Sequence, residues 1–238
     1  MIKAVIFDID NTLYDYTKGH ELGFQYMSAY AEKELGISET VLEQEHAAMF
    51  REILGEMGWN NADIHNRPVR FQRILEKWKK PLFPHVLELT RLYDKGTLEA
   101  GMTPYDGVPE FLSWAKERGM ILGIGTDMTA LHQMEKLQVM GVGPYLDFLL
   151  TSEEAAVEKP HPLFFEKIMR KVNHFLPGTA PGECVFIGDN VDKDVRGACA
   201  CGLKGVWYQP DCMVETPEGV CYRISHYSEF QSLILKFE

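Results

Sequence analysis

With 238 residues, 45% of them hydrophobic, the chain is long enough to bury a substantial core, as one large domain or as a core domain with a smaller companion. Its formal net charge of −11, with no basic stripe, argues against a nucleic-acid partner held by phosphate contacts, and an anionic substrate would need a metal or well-placed Lys and Arg. No apolar run reaches the length of a membrane span, and Asp8 interrupts the first one too early for a signal peptide, so a cytoplasmic protein without a membrane partner is expected.

The first element is a short apolar run, Lys3-Ala4-Val5-Ile6-Phe7, which reads as a fully buried strand. It leads into Asp8-Ile9-Asp10-Asn11-Thr12, where two carboxylates in alternate positions share one face of the chain. Like charges so close repel unless a cation or a shared proton relieves them, which suggests a metal-assisted acid site at the strand's carboxyl end. The plainer reading is a turn with a helix cap, and on this segment alone the two stand level. Residues 16–100 contain no convincing strand. Helical patterns run over residues 20–35, from Ser38 or Thr40 to residue 57, and over 68–79 and 84–95, with Gly36, Gly58 and Pro81 as stops. An all-helical block entering right behind the paired aspartates is expected to be a cap closing over a site, in preference to an extension of the core.

From residue 101 strands and helices alternate. Strand-like runs cover residues 120–125, 145–150, 184–188 and 203–207, and helical patterns cover 108–118, 130–140, 162–175 and 192–200. A short strand near 221–224 and a helix from Ser228 follow. This alternation predicts an α/β fold, a doubly wound parallel sheet of residues 1–15 and 101–238, with residues 16–100 inserted as an α-helical cap domain. The five cysteines, an odd number without ligand-like spacing, read as reduced structural thiols rather than a zinc site.

The later strand ends and nearby loops carry further polar groups: Thr126-Asp127, Lys159 before Pro160 at the start of a helix, Gly188-Asp189, and Asp194 beyond it. Singly, each is an ordinary turn or surface residue. Together with Asp8 and Asp10 they line the carboxyl edge of one sheet in chain order.

This set resembles the four motifs of the haloacid dehalogenase-like hydrolase superfamily. Asp8-Ile9-Asp10-Asn11-Thr12 matches its first motif, Thr126 its second, Lys159-Pro160 its third, and Gly188-Asp189 with Asp194 its fourth. The helical insertion resembles the subgroup with an α-helical cap between motifs one and two. The resemblance implies a Rossmann-like core and a Mg²⁺-dependent phosphatase acting on a small phosphorylated metabolite, with nucleoside monophosphates and sugar phosphates as candidate substrates. It implies Asp8 as the nucleophile forming an aspartyl-phosphate, and Asp10 as acid and then base. It places Mg²⁺ on the Asp8 and Asp189 carboxylates and the Asp10 main-chain carbonyl. Lys159 and Thr126 would hold the phosphoryl oxygens, with Asp194 orienting metal-bound water or Lys159.

Many relatives follow the second motif's Ser or Thr with Asn-Gly, whereas this chain has Asp127-Met128. Asp127 is taken as lining the substrate site. Gln133 and Lys136, on the next helix, read as a solvated face. Substrate choice is assigned to the cap, with Tyr14, Tyr16, His20, Phe24, residues 60–67, Arg70 and Arg73 as candidates, although each is individually more ordinary as cap core or surface charge. The alternatives are a phosphomutase, which would keep all four motifs; a metal-independent haloacid dehalogenase, which Asp10 argues against; and a phosphate-binding module without turnover. No sequence feature sets an oligomeric state.

Overall fold

The computed structural model describes residues 1–58 and 61–237; Asn60, one of the candidates above, lies outside the described residues. The chain divides into two compact units, residues 1–15 with 103–238, and residues 16–102.

The first unit is built on a six-stranded sheet of β1 (Ala4–Phe7), β2 (Ile121–Thr126), β3 (Phe148–Thr151), β4 (Cys184–Gly188), β5 (Lys204–Tyr208) and β6 (Arg223–Ile224). The strands are all parallel and ordered β3-β2-β1-β4-β5-β6. β1 is apolar on both faces because both are covered. Ile6 joins a core with Phe164, Phe165 and Ile168, while Phe7 meets Phe111 and Phe230 edge-on at 6.0 and 6.4 Å. The order reverses at β1, whose Phe7 is level with Ile124 of β2 and Ile187 of β4. Ligands bind beyond the carboxyl ends of strands at such a reversal. Asp8, Thr126 and Asp189 all stand at that edge.

Among the described residues the second unit has four α-helices, α1 (Tyr16–Leu35), α2 (Glu39–Met57), α3 (Arg67–Lys77) and α4 (His85–Glu99), and a 3-10 turn over Ala62–His65. Their apolar stripes enclose a separate core that includes Phe24, Met27, Leu42, Met49, Ile53, Phe71, Leu75 and Leu89. α1 and α4 approach closely where two glycines meet. A Cβ on Gly96 would lie 2.7 Å from the Gly23 backbone, so neither position has room for a side chain.

The remaining helices are α5 (Val108–Glu117), α6 (Ala130–Val139), the single turn α7 (Ser152–Ala155), α8 (Pro162–Phe175), α9 (Gly197–Ala200) and α10 (Tyr227–Lys236). The helix expected over residues 192–200 is instead a π-helical segment, Val191–Arg196, followed by α9. The Val195 N–H reaches the Asn190 carbonyl at 3.4 Å, the i to i+5 closure of a π turn. The Asn190 side chain caps the segment by accepting from the Asp192 and Lys193 N–H groups at 3.1 and 3.0 Å, while the Asp194 carboxylate turns back onto the Asn190 N–H at 3.0 Å.

Candidate active site

The loop after β1 is both a tight turn and the floor of a polar site. Asn11 takes a left-handed φ of 57°, tolerated by Asn, and the Thr12 and Leu13 N–H groups close back onto the Ile9 carbonyl at 3.2 and 2.9 Å. The turn aims the Thr12 hydroxyl inward. It donates to Asp8 Oδ2 at 3.3 Å and accepts the Asp189 N–H at 3.1 Å, linking the ends of β1 and β4.

Around Asp8 the groups are buried and charged. Asp8 is 7% exposed, and its Oδ1 lies 2.6 Å from Lys159 Nζ. The same ammonium lies 2.7 Å from Asp194 Oδ1. Burial opposes the Lys159 charge, but Asp194 and Asp8 outweigh it and hold the ammonium well above its ordinary range. Asp8 shows the reverse balance. Burial pushes its carboxyl well up against the pull of Lys159, and Asp194 and Asp189 add to the rise. Burial and Asp194 likewise push Asp189 up to about 6. Gly188 permits the crowding, because a Cβ there would fall 2.2 Å from Asp194 Oδ2.

The fit of a cation follows from this donor set. Asp8, Asp189 and Asp194 each offer a carboxylate oxygen within 4.8 Å of the others, a cluster of hard oxygen donors of the kind Mg²⁺ takes. Lys159 is the ammonium paired with Asp8 and Asp194. Asp194 is already committed at both oxygens, to Lys159 and to the Asn190 N–H, whereas Asp189 has its main chain pinned by the Trp207 indole at 2.8 Å. A hard cation therefore fits between Asp8 and Asp189, with Asp194 bracing from behind.

Asp10 points to a different set of partners. Its carboxylate accepts the Tyr14 hydroxyl at 2.6 Å and lies 2.7 and 2.9 Å from Lys136 Nζ. Burial raises the Asp10 carboxyl, yet Lys136 and Tyr14 together outweigh it and hold it below the usual carboxylate range. Gln133, one turn before Lys136, donates to the Thr126 hydroxyl at 2.8 Å and to the Asp127 carbonyl at 3.0 Å. Both side chains are wholly buried, so the solvated face expected at Gln133 and Lys136 is corrected. The reason is that α6 buries a mixed face, Gln133 and Lys136 together with His132 and Leu137, and leaves Leu131 and Met134 exposed. Their i, i+3 spacing was the available signal.

Thr126 is buried at the end of β2, its hydroxyl also donating to the Asp127 carbonyl at 3.1 Å. The Asp127 carboxylate accepts the Lys159 N–H at 3.1 Å and pairs with Lys193 at 2.9 Å, so its charge is answered within the protein. Lys193 in turn reaches the buried Glu158 at 3.1 Å. Asp127 thus braces the loop carrying Lys159. Met128 stands at φ 100°, a conformation that favours glycine, and is held by its N–H to Ser152 Oγ at 2.9 Å.

The candidates assigned to the helical unit divide. Asn66 caps α3 through the Val69 N–H at 3.1 Å, and Arg73 pairs with Glu52 and Glu56 at the surface. Arg67 and Arg70 are instead buried, against the expectation of surface charges. Tyr16, His20 and Tyr93 form a hydrogen-bonded chain, with the Tyr93 hydroxyl 2.8 Å from that of Tyr16 and 2.6 Å from His20 Nδ1.

A model of the haloacid dehalogenase-like hydrolase family matches residues 2–202. The chain is 32% identical over 206 residues to a glyceraldehyde 3-phosphate phosphatase of Methanopyrus kandleri, covering 87% of this chain and 83% of that protein. It is 32% identical over 216 residues to a ribulose-1,5-bisphosphate 5-phosphatase of Halopiger xanaduensis, covering 88% and 86%. Among solved structures it resembles a phosphatase of the same family from Thermococcus onnurineus, with a TM-score of 0.74, 26% identity and 98% of both chains covered.

Proposed function

The chain belongs to the haloacid dehalogenase-like hydrolase family and is a phosphoric monoester hydrolase, and from that premise we propose that it hydrolyses a small sugar-phosphate-like metabolite through an aspartyl-phosphate on Asp8. The observation that carries the reading is the pairing of two aspartates with two different buried lysines, Asp8 with Lys159 and Asp10 with Lys136. This separates a nucleophile from an acid–base group two residues away. Sugar phosphates are preferred to nucleotides because the relatives at 32% identity are named for sugar-phosphate substrates.

In the first step an Asp8 carboxylate oxygen forms a bond to phosphorus as the bond to the leaving oxygen breaks. Asp10 gives its proton to that oxygen. The incoming phosphoryl dianion raises the proton affinity of Asp10, offsetting the pull of Lys136. In the second step Asp10 takes a proton from water, whose oxygen attacks phosphorus and frees Asp8. Lys159 neutralises charge on Asp8 and on the phosphoryl oxygens, and the Thr126 hydroxyl is placed to exchange its bond with the Asp127 carbonyl for one to phosphate. Mg²⁺ would be held by the Asp8 and Asp189 carboxylates and the Asp10 main-chain carbonyl, and would supply positive charge that lets an anionic nucleophile approach an anionic group.

Release of inorganic phosphate from a panel of sugar phosphates and nucleotides, with and without Mg²⁺, tests the reading. Turnover should need the metal and vanish in Asp8→Asn. A folded, Mg²⁺-loaded protein that hydrolyses no phosphoester overturns it, and phosphate moved within the substrate without release would identify a phosphomutase.

A further inference from the structure

The loop between α7 and α8 that carries Lys159 is held by a second lysine, which takes no part in the two chemical steps. Lys193, on the π-helical segment, lies 3.1 Å from the Glu158 carboxylate and 2.9 Å from that of Asp127. Asp127 passes the contact on, because its other carboxylate oxygen accepts the Lys159 N–H at 3.1 Å. Two adjacent residues thus face two adjacent residues with their charges reversed. Glu158 meets Lys193 next to the place where Lys159 meets Asp194, the latter pair at 2.7 Å. All of these residues belong to the α/β unit.

Glu158 is wholly buried and Asp127 largely so, and a carboxylate in either place is costly without a cation. Burial opposes the Lys193 charge, but Asp127 and Glu158 outweigh it and hold the ammonium above its ordinary range. Burial likewise opposes the Asp127 charge, and Lys159 and Lys193 together hold that carboxyl below the usual range. Asp127 already acts electrostatically on Lys159. Without Lys193, its carboxylate would compete with Asp8 for the Lys159 ammonium, which now stands 2.6 Å from Asp8. A small displacement there matters, because reacting groups must be held within hydrogen-bond reach of one another.

We propose that Lys193 is a positioning residue for the hydrolysis: by holding Glu158 and Asp127 it fixes the loop so that the Lys159 ammonium stays on Asp8. The same contact gives the charge of Asp127, beside Thr126, a dedicated counter-ion. The rate arm of the test rests on the phosphatase reading, and the exchange arm does not.

The full chain and its variants are compared by amide hydrogen exchange at Lys159 and by kcat/KM for p-nitrophenyl phosphate with Mg²⁺. In Lys193→Met the Lys159 N–H should exchange about tenfold faster or more, with the β1 and β4 amides unchanged, and kcat/KM should fall by about tenfold or more. Lys193→Arg, which keeps the charge, should stay within about threefold of the wild type on both measures. Adding Asp127→Asn to Lys193→Met should raise kcat/KM about threefold above the single variant, since one of two stranded carboxylates is gone. A merely structural role would give the opposite, a further loss on the second substitution and faster exchange throughout the unit. Lys193→Met with either exchange or rate within about threefold of the wild type overturns the proposal. So does a double variant no faster than the single one. Should Lys193→Met fail to fold, Lys193→Gln is judged by the same criteria. If the wild type turns over no phosphoester the phosphatase reading fails, and the exchange arm alone decides whether Lys193 holds the loop.

Discussion

Two buried lysines neutralise the two aspartates of the first loop, and the division sets what each aspartate can do. Lys159 shares its charge between Asp8 and Asp194, while Lys136 meets both oxygens of the Asp10 carboxylate. Replacing Lys136 by Met should therefore leave Asp10 misoriented and without its counter-charge. Because general acid catalysis contributes roughly 10²- to 10⁴-fold, Lys136→Met should slow hydrolysis of alkyl phosphates at least about tenfold more than that of p-nitrophenyl phosphate, whose leaving group needs no proton. Equal losses on both would count against positioning of Asp10. Asp189→Asn should instead raise the Mg²⁺ concentration giving half-maximal rate by about tenfold or more, read from metal titrations of activity, since one charged ligand is lost. Asp8, Asp10, Thr126, Lys159, Asp189 and Asp194 could be singled out in the sequence because each lies at or within a few residues of a strand end or helix start in a recognisable motif. Gln133 and Lys136 were not, since a polar residue on an amphipathic helix ordinarily faces water.

At the scale of elements, the site depends on how closely β4 meets the π-helical segment after it. Gly188 is the last residue of β4, and the Asp194 carboxylate occupies the space a Cβ would need. Gly188→Ala should destabilise the protein by about 1–3 kcal/mol in denaturant unfolding and lower kcat by displacing Asp194 from Lys159. A variant with wild-type stability and activity would show that Asp194 moves aside freely. The order of the elements and most of their bounds could be read from periodicity and stop signals. The π-helical segment could not, because a capping Asn reads the same whether the following turn closes at i+4 or, as the Val195 N–H does onto the Asn190 carbonyl at 3.4 Å, at i+5.

Across the whole molecule, each of the two units has its own apolar core, and the two are expected to respond differently to acid. His46, in the helical unit, is packed between Phe24 and Phe71 and accepts from Arg70, and burial together with Arg70 lowers it to about 3. Its folded value lies below the unfolded one, so unfolding takes up a proton between pH 6.5 and about 3. Stability from this group is complete above pH 6.5 and is lost as pH falls, by about 2 kcal/mol at pH 5. Hydrogen exchange at pH 5 should show greater opening of α2 and α3 than of β1 and β4, and His46→Gln should flatten that part of the pH dependence. Equal opening in both units would exclude His46 as the source.

The sequence by itself determined the parallel α/β architecture, the inserted helical region and the motif residues at the strand ends. Those follow from local hydrophobic periodicity, turn chemistry and spacing along the chain. Only the tertiary structure decided which charges meet. Lys136 and Asp10 are 126 residues apart, Lys159 and Asp8 are 151 apart, and among the described residues Arg70 meets no carboxylate although the chain carries a net charge of −11. Burial and partner choice are set by the packing of distant elements, and the pattern of any one element does not contain them.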